Sequence, residues 1–338
     1  MITIIGNTSS AYELDNVITH EVGHNWFYGV LGSNERDHAW MDEGMNSFVE
    51  LRYMRKQYAN SKMDLGIPVV GKIFDGVTDG QRALSEWGYR LNARRNLDQP
   101  LSLSSNDFTE FNYGTGIYMK TALAFDHLFA YLGEESFDKC MHAYYAEWQF
   151  KHPQPYDVRE VFERESGKDL GWLFDGFIDS DEKFDVKAKK IVGDVLYYRL
   201  RGPLAPFPVT SHDDMWKGPI WLEPGLPEPL RKENRDWDKG RIRIEGYKRG
   251  FRTYSDTLLW SNAGIIRIDA TNRTLDIDRR NNEVRSYGFL KRSKLPKFEP
   301  LFGLEKQDRR SIYYSLAPAW NNHDGWQAGL VLHNTTFP

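Results

Sequence analysis

The sequence predicts an α+β protein: a mainly helical first part, then a small β-sandwich-like region. Three observations lead there. Between about residues 117 and 150 apolar residues recur at helical spacing, interrupted by a single glycine. After about residue 184 the pattern becomes short alternating or β-branched runs, separated by Pro, Gly and Asn-rich breaks. Hydrophobic residues are 40% of the 338-residue chain and aromatics 14%, ample for a buried core.

Residues 2–5 read as a short buried strand closed by Gly6 and Asn7. Ser10 followed by Glu13 is a capping-box signature, so a helix starts there and runs to about Val30, with Gly29 and Gly32 able to end it. A second helix covers roughly Trp40 to Tyr58, with Met41, Met45, Phe48 and Val49 on its apolar side. Residues 60–112, rich in Gly, Pro and Asn, read as a long irregular segment, mostly at the surface. Helical spacing returns in "TGIYMKTALAFDHLFAYLG", where Tyr118, Ala122, Phe125 and Phe129 share a face. Gly133 stops that helix and "EESFDKCMHAYYAEWQF" forms another, in which Cys140 reads as a small buried apolar residue. "HPQP" at 152–155 breaks the pattern, and two short helices follow in "DVREVFERESGKDL" and "GWLFDGFID".

In the β part, "VLYYRLRG", "RIRIEGY", "GIIRIDA" and "TLDIDRR" are strand candidates. The last fifty residues add "SIYYSLAPAW" and "WQAGLVLH", strand-like pieces without visible partners. The domain organisation implied is 1–184, 185–285 and 286–338. The middle unit is expected to fold by itself and to carry no chemistry, since it lacks a cluster of His, Cys and carboxylates; "DATNRTLDIDRRNN" reads as an inter-strand loop rather than a calcium site.

Forty-four Lys and Arg against 48 Asp and Glu give a net charge of −4, which offers no electrostatic case for nucleic acid or an anionic membrane. One cysteine excludes an internal disulfide framework. No apolar run approaches the ~20 residues that span a bilayer as a helix.

The chemistry concentrates in "HEVGHNWFYGVLGSNERDHAWMDEGMNSFVE", from His20 to Glu50. His20 and His24, four apart on a helix, project from one face, a spacing that suits zinc because both ligands come from one rigid turn. Glu21 lies roughly 100° around the helix, placed to reach an activated water without coordinating the metal. Candidates for a third ligand are Glu35, His38, Asp42 and Glu43. A short connection followed by a returning helix favours one held within that helix, and Glu43 fits best.

Eighteen residues separate His24 from Glu43. With the "EG" that follows, this spacing resembles the gluzincin aminopeptidases, the family of aminopeptidase N and leukotriene hydrolase. "HEVGHNWFYG" is similar to the family's HExxHxWFGN, and "WMDEGMNSFVE" to its WLNEGFAxYxE. "YMKTALAFDHLFAYLGEESF" is similar to YxKGAxVLxxLxxxLGEExF, with Thr121 where the family has glycine, and "VFERESGKDLGWLFDGFID" to a segment ending in DLSWFFDQW. A metzincin would need Gly at 27 and His at 30, where this chain has Phe27 and Val30. Thermolysin-type peptidases place their glutamate one residue later and rank second.

The resemblance covers about residues 1–182, apart from 60–112, and implies the helical C-terminal part of a thermolysin-like zincin catalytic domain. It implies one zinc per chain on His20, His24 and Glu43, Glu21 as general base, and Tyr118 as the hydroxyl that stabilises the oxyanion. Tyr113 is the reserve for that last role, and Ser47 a candidate to orient a ligand. The implied reaction is removal of N-terminal residues from a peptide substrate; the rivals are a zinc endopeptidase and a non-catalytic binding platform. The family also places a G-x-M-E-[N/Y] motif upstream, whose glutamate holds the substrate amine, and no such motif occurs here. The expectation is therefore a piece of a longer enzyme, binding zinc weakly with little aminopeptidase activity. By resemblance the whole protein is expected in the periplasm or at the outer membrane of a bacterium.

Overall fold

The computed structural model describes residues 5–59, 80–212, 218–224, 243–248, 251–257, 264–289, 291, 294–301, 306 and 308–334. The expected strand at 2–5 lies, but for Ile5, outside the described residues. Helix α1 is Ala11–Gly23, capped by the Ser10 side chain on the Glu13 N–H, while the Glu13 carboxylate accepts the Ser9 N–H. It stops well short of Val30. The Asn46 amide donates to the His20 carbonyl, and the chain beyond tightens so that Asn25 N–H bonds the Val22 carbonyl. Tyr28, at φ 84°, then reverses the backbone and sends Phe27 and Leu31 into the core.

A π-helical turn, Trp40–Gly44, leads into α2, Met45–Gln57, which buries Met45, Phe48, Leu51 and Met54. The irregular segment expected over 60–112 contains a further helix, α3, Gly80–Ala93. Its buried face, Arg82, Ser85, Glu86, Tyr89 and Arg90, is largely polar, while Leu84, Trp87 and Leu91 recur at helical spacing on a half-buried side that the Gly- and Pro-rich surroundings obscured. A second π-helical turn, Tyr113–Lys120, runs into α4, Thr121–Leu132. Gly133 ends α4 at φ 80°, a conformation glycine adopts without a Cβ penalty. Helices α5, Glu134–Trp148, and α6, Pro155–Ser166, pack together, and Trp172–Ile178 closes the helical part. Phe48, Phe125, Phe137 and Phe162 are fully buried between these helices, as is Cys140.

Two four-stranded antiparallel sheets follow. One has the order β1-β2-β6-β5, from Asp185–Val192, Val195–Arg201, Phe251–Thr257 and Arg243–Lys248. The other is β4-β3-β7-β8, from Ile220–Leu222, Phe207–Ser211, Ile265–Ile268 and Glu283–Arg285. Strand β1 packs against β7 and β8, burying Val186, Ala188, Ile266 and Val284 in one core. "TLDIDRR" is not a strand. Leu275 and Ile277 are buried as an alternating pattern requires, but side chains replace the ladder bonds: Asp276 accepts the Val186 N–H, and Arg90 of α3 and Arg94 just beyond it donate to the Asp276 and Ile277 carbonyls. The last two strand-like pieces do find partners. Strands β10, Ser311–Asn321, and β11, Gly325–His333, form an antiparallel hairpin, and β10 also pairs in parallel with β9, Lys297–Pro300.

The β sheets share their core with the helices rather than standing apart. His127 of α4 is buried among the rings of Trp172, Phe177, Phe184 and Trp221, and its Nε2–H donates to the Pro206 carbonyl at 2.6 Å. Burial lowers its pKa from 6.5 to about 4. A depressed folded-state pKa means stability that is complete above pH 6.5 and lost as pH falls toward 4, because only the unfolded chain can take the proton. The loss amounts to roughly 3 kcal/mol. Denaturation midpoints at pH 7.5 and 4.5 are expected to differ less in His127→Gln than in the wild type; an equal difference would place the acid sensitivity elsewhere.

Candidate metal centre

The last turn of α1 and the first turn after Ala39 are brought together by packing of α1 on α2. His20 Nε2 lies 3.1 Å from Glu43 Oε2 and 3.1 Å from His24 Nε2, and His24 Nε2 is 3.2 Å from the same carboxylate oxygen. Among the described residues these three side chains form a group whose donor atoms all lie within 4.8 Å of one another. The π-helical turn adds a residue to the local repeat at Glu43, and such bulges recur at functional sites. Gly44 is required next to it: a Cβ there would sit 2.7 Å from the Ile117 carbonyl oxygen in the turn that carries Tyr118. Thr121 fills the space opposite Gly44, which accommodates its departure from the family pattern.

Each imidazole is held from behind. His20 Nδ1 is 2.9 Å from Glu50 Oε2, and His24 Nδ1 is 2.8 Å from Asp42 Oδ1. The other oxygen of Glu50 accepts from Asn16 at 2.7 Å and Gln81 at 2.8 Å, fixing the carboxylate in place. With both Nδ1 protons directed at carboxylates, two Nε2 lone pairs and one carboxylate oxygen converge on a single point. Three acceptors facing each other at ~3 Å need a cation or extra protons between them. The protonation equilibria agree. Burial opposes the imidazolium of His20, yet the hydrogen bonds to Glu43 and Glu50 outweigh it and raise its pKa to about 9. Asp42 and Glu43 do the same for His24, to about 10. Burial opposes the charge on Glu43 too, but the two histidines and Tyr118 bring it down to about 2. The donor set, two imidazoles and a carboxylate with carboxylates behind the rings, fits zinc.

Tyr118 hydrogen-bonds Glu43, and its ring centroid lies 5.8 Å from that of His20. Burial and the neighbouring carboxylate hold its phenol well above the usual range, so it stays a donor. Tyr113 stands one ring further out, 5.9 Å from Tyr118, with its hydroxyl engaged by Ser105. Glu21 is half-buried on the same turn as His20, its carboxylate outside this set of hydrogen bonds. Ser47 takes no part in them; orientation falls instead to Asp42, Glu50 and Asn46. The sequence reading missed Glu50; the one signal for it is its place seven residues beyond Glu43, about two turns along the same helix. Gln81 left no such signal, since it lies on α3, within the segment read as irregular. Glu50→Ala is expected to weaken zinc affinity 10–100-fold, the usual effect of losing such a partner. Competition with a chromogenic chelator measures this, and an unchanged affinity would show that His20 needs no support.

The model of the peptidase family M1 domain matches residues 4–177. That is half the chain. The chain belongs to peptidase family M1. It is 22% identical over 277 residues to aminopeptidase N of Lactococcus lactis subsp. lactis, covering 79% of this chain and 28% of that protein. It is 25% identical over 157 residues to leucine aminopeptidase 2-1 of Meyerozyma guilliermondii, covering 46% of this chain and 24% of that one. The chain thus spans about a quarter of these M1 relatives. The crystal structure of Legionella pneumophila aminopeptidase A in complex with aspartic acid superposes at a TM-score of 0.43 and 14% identity, over 77% of this chain and 26% of that one. No helix among the described residues is long and apolar enough to cross a membrane.

Proposed function

We propose that this M1 chain carries the catalytic centre of a zinc aminopeptidase, holding one zinc on His20, His24 and Glu43. The observation that carries the reading is the convergence of those three donors with a carboxylate behind each imidazole. Two relatives that bear the name aminopeptidase support the peptide as substrate. Bound there, zinc would supply a Lewis acid and a water acidic enough to attack near neutral pH. Glu21 takes the proton of the attacking water and returns it to the leaving amine as the C–N bond breaks. The Tyr118 hydroxyl, beside Glu43, donates to the oxyanion that develops on the scissile carbonyl, a contribution of about 3 kcal/mol. Asp42 and Glu50 keep both imidazoles in the tautomer that presents Nε2.

The test is zinc content together with hydrolysis of one peptide in free-amine and N-acetylated forms, by the longest natural form of the protein. One zinc per chain and preference for the free amine are expected; equal cleavage of both would make the enzyme an endopeptidase. Within it, Tyr118→Phe is expected to keep zinc and lower kcat by ~10²-fold or more, as loss of one oxyanion donor does. An unchanged rate, with Tyr113→Phe damaging instead, would move the role to Tyr113.

A further inference from the structure

The β10–β11 hairpin presents an apolar face to solvent. In its register Tyr314 opposes Leu332, Leu316 opposes Leu330, Pro318 opposes Ala328 and Trp320 opposes Trp326. Side chains alternate across a strand, so these eight share one side. Leu316 is 79% exposed, Trp326 80%, Leu330 61% and Trp320 59%. The opposite side, at Ser315, Ala317, Ala319, Gln327 and Gly329, is small or polar apart from Val331, which is 40% exposed. The hairpin is tied to the protein at its base, where Tyr313 is buried against His333 and His333 Nε2–H donates to the Leu301 carbonyl. A contiguous exposed apolar ladder of this size marks a surface meant to be covered.

Its chemistry selects the occupant. From Ser311 to His333 the only Asp, Glu, Lys or Arg is Asp324, in the turn between the strands, whereas 27% of the whole chain is charged. Aromatic residues sit at the two ends of the ladder, Trp320 with Trp326 by the turn and Tyr314 at the base, with Leu316 and Leu330 between them. Trp and Tyr take such positions where hydrocarbon meets headgroups. The segment leading in, 291–310, holds seven Lys and Arg against three Asp and Glu, in a chain whose total charge is −4. Lys294, Lys297, Lys306 and Arg309 are paired with Glu283, Glu299 and Asp308, so the cation excess that remains just before the ladder in sequence is smaller, but its sign suits anionic headgroups.

We propose that the β10–β11 hairpin is a lipid-binding element that seats its Tyr314–Leu316–Trp320 and Trp326–Leu330–Leu332 ladder in an anionic bilayer. This goes beyond the zinc chemistry and does not depend on it. Strand β11 lies at the edge of its sheet, and unpaired backbone groups are not tolerated in hydrocarbon. The hairpin by itself therefore lies in the interface instead of crossing it.

Flotation of the whole chain with vesicles of phosphatidylethanolamine and phosphatidylglycerol tests this. The wild type is expected to float with the vesicles, and less with phosphatidylcholine alone. A Leu316→Glu, Leu330→Glu double variant is expected to lose flotation with an unchanged circular dichroism spectrum and thermal midpoint, since both side chains face solvent. A Trp320→Phe, Trp326→Phe pair should lose the blue shift of tryptophan emission on adding vesicles. A wild type that does not float, or a double variant that floats equally well, overturns the proposal. So does a concentration-dependent dimer, without vesicle binding, that the same double variant abolishes: the face would then belong to a second copy.

Discussion

Glu43→Ala is expected to remove most of the zinc and with it all hydrolysis, whereas Glu21→Gln is expected to keep the zinc and lose only the hydrolysis. The difference follows from position. Glu43 Oε2 is within 3.2 Å of both Nε2 atoms, so removing it takes one of three donors and leaves two imidazoles facing each other without a counter-charge. Glu21 belongs to the same helical turn as His20 but not to the convergent set, so its loss leaves the donors where they are. Loss of a general base costs 10²–10⁴-fold in rate. Zinc content and kcat measured on both variants separate the roles, and equal zinc loss in the two would mean that base and ligand have been exchanged.

Asp126→Ala is expected to destabilise the fold by about 3–5 kcal/mol, the range for breaking a buried ion pair by removing one partner. Asp126 of α4 is fully buried and accepts from Arg82 of α3 at 2.7 Å, Arg55 of α2 at 3.0 Å and Arg273 at 2.7 Å. These arginines hold its carboxyl below the usual range against the effect of burial. Nearby, Arg279 bonds Glu86 at 2.6 Å and Asp269 at 2.8 Å, with all three buried, so α3, α4 and the β part are joined through charge. Removing the carboxylate leaves several guanidinium groups in the interior with too few partners. Denaturant midpoints measure the loss; a change under about 1 kcal/mol, the exposed-pair range, would show that water reaches this cluster.

The helical framework of the first half was legible because its determinants are local. Ser10 caps α1, Phe48 and Phe125 recur on apolar faces, and Gly133 ends α4. The same holds for His20, Glu21 and His24, whose spacing on one turn is a property of the helix itself. The end of α1 was not local: Asn46, twenty-six residues on, takes the His20 carbonyl that a continuing helix would have used. Helix α3 was missed although Leu84, Trp87 and Leu91 recur at helical spacing; what it buries is polar, Arg82, Glu86 and Arg90, and their partners Asp126, Asp276 and Arg279 lie far along the chain.

Alternation in "TLDIDRR" marked Leu275 and Ile277 as buried, and it did so correctly, but could not say that Arg90 and Arg94, at the end of α3 and just beyond it, would satisfy the backbone in place of a neighbouring strand. What the sequence by itself determined is the chemistry on offer: two imidazoles on one helical turn, a carboxylate eighteen residues on, and two tyrosines ahead of a long helix. Only the tertiary structure decided which groups meet. It put Glu50 and Asp42 behind the rings, Gln81 behind Glu50, and Tyr118 rather than Tyr113 on Glu43. The reason is that hydrogen bonds between side chains far apart in sequence depend on how helices pack, and a polar contact leaves no periodic trace in either strand or helix from which to foresee it.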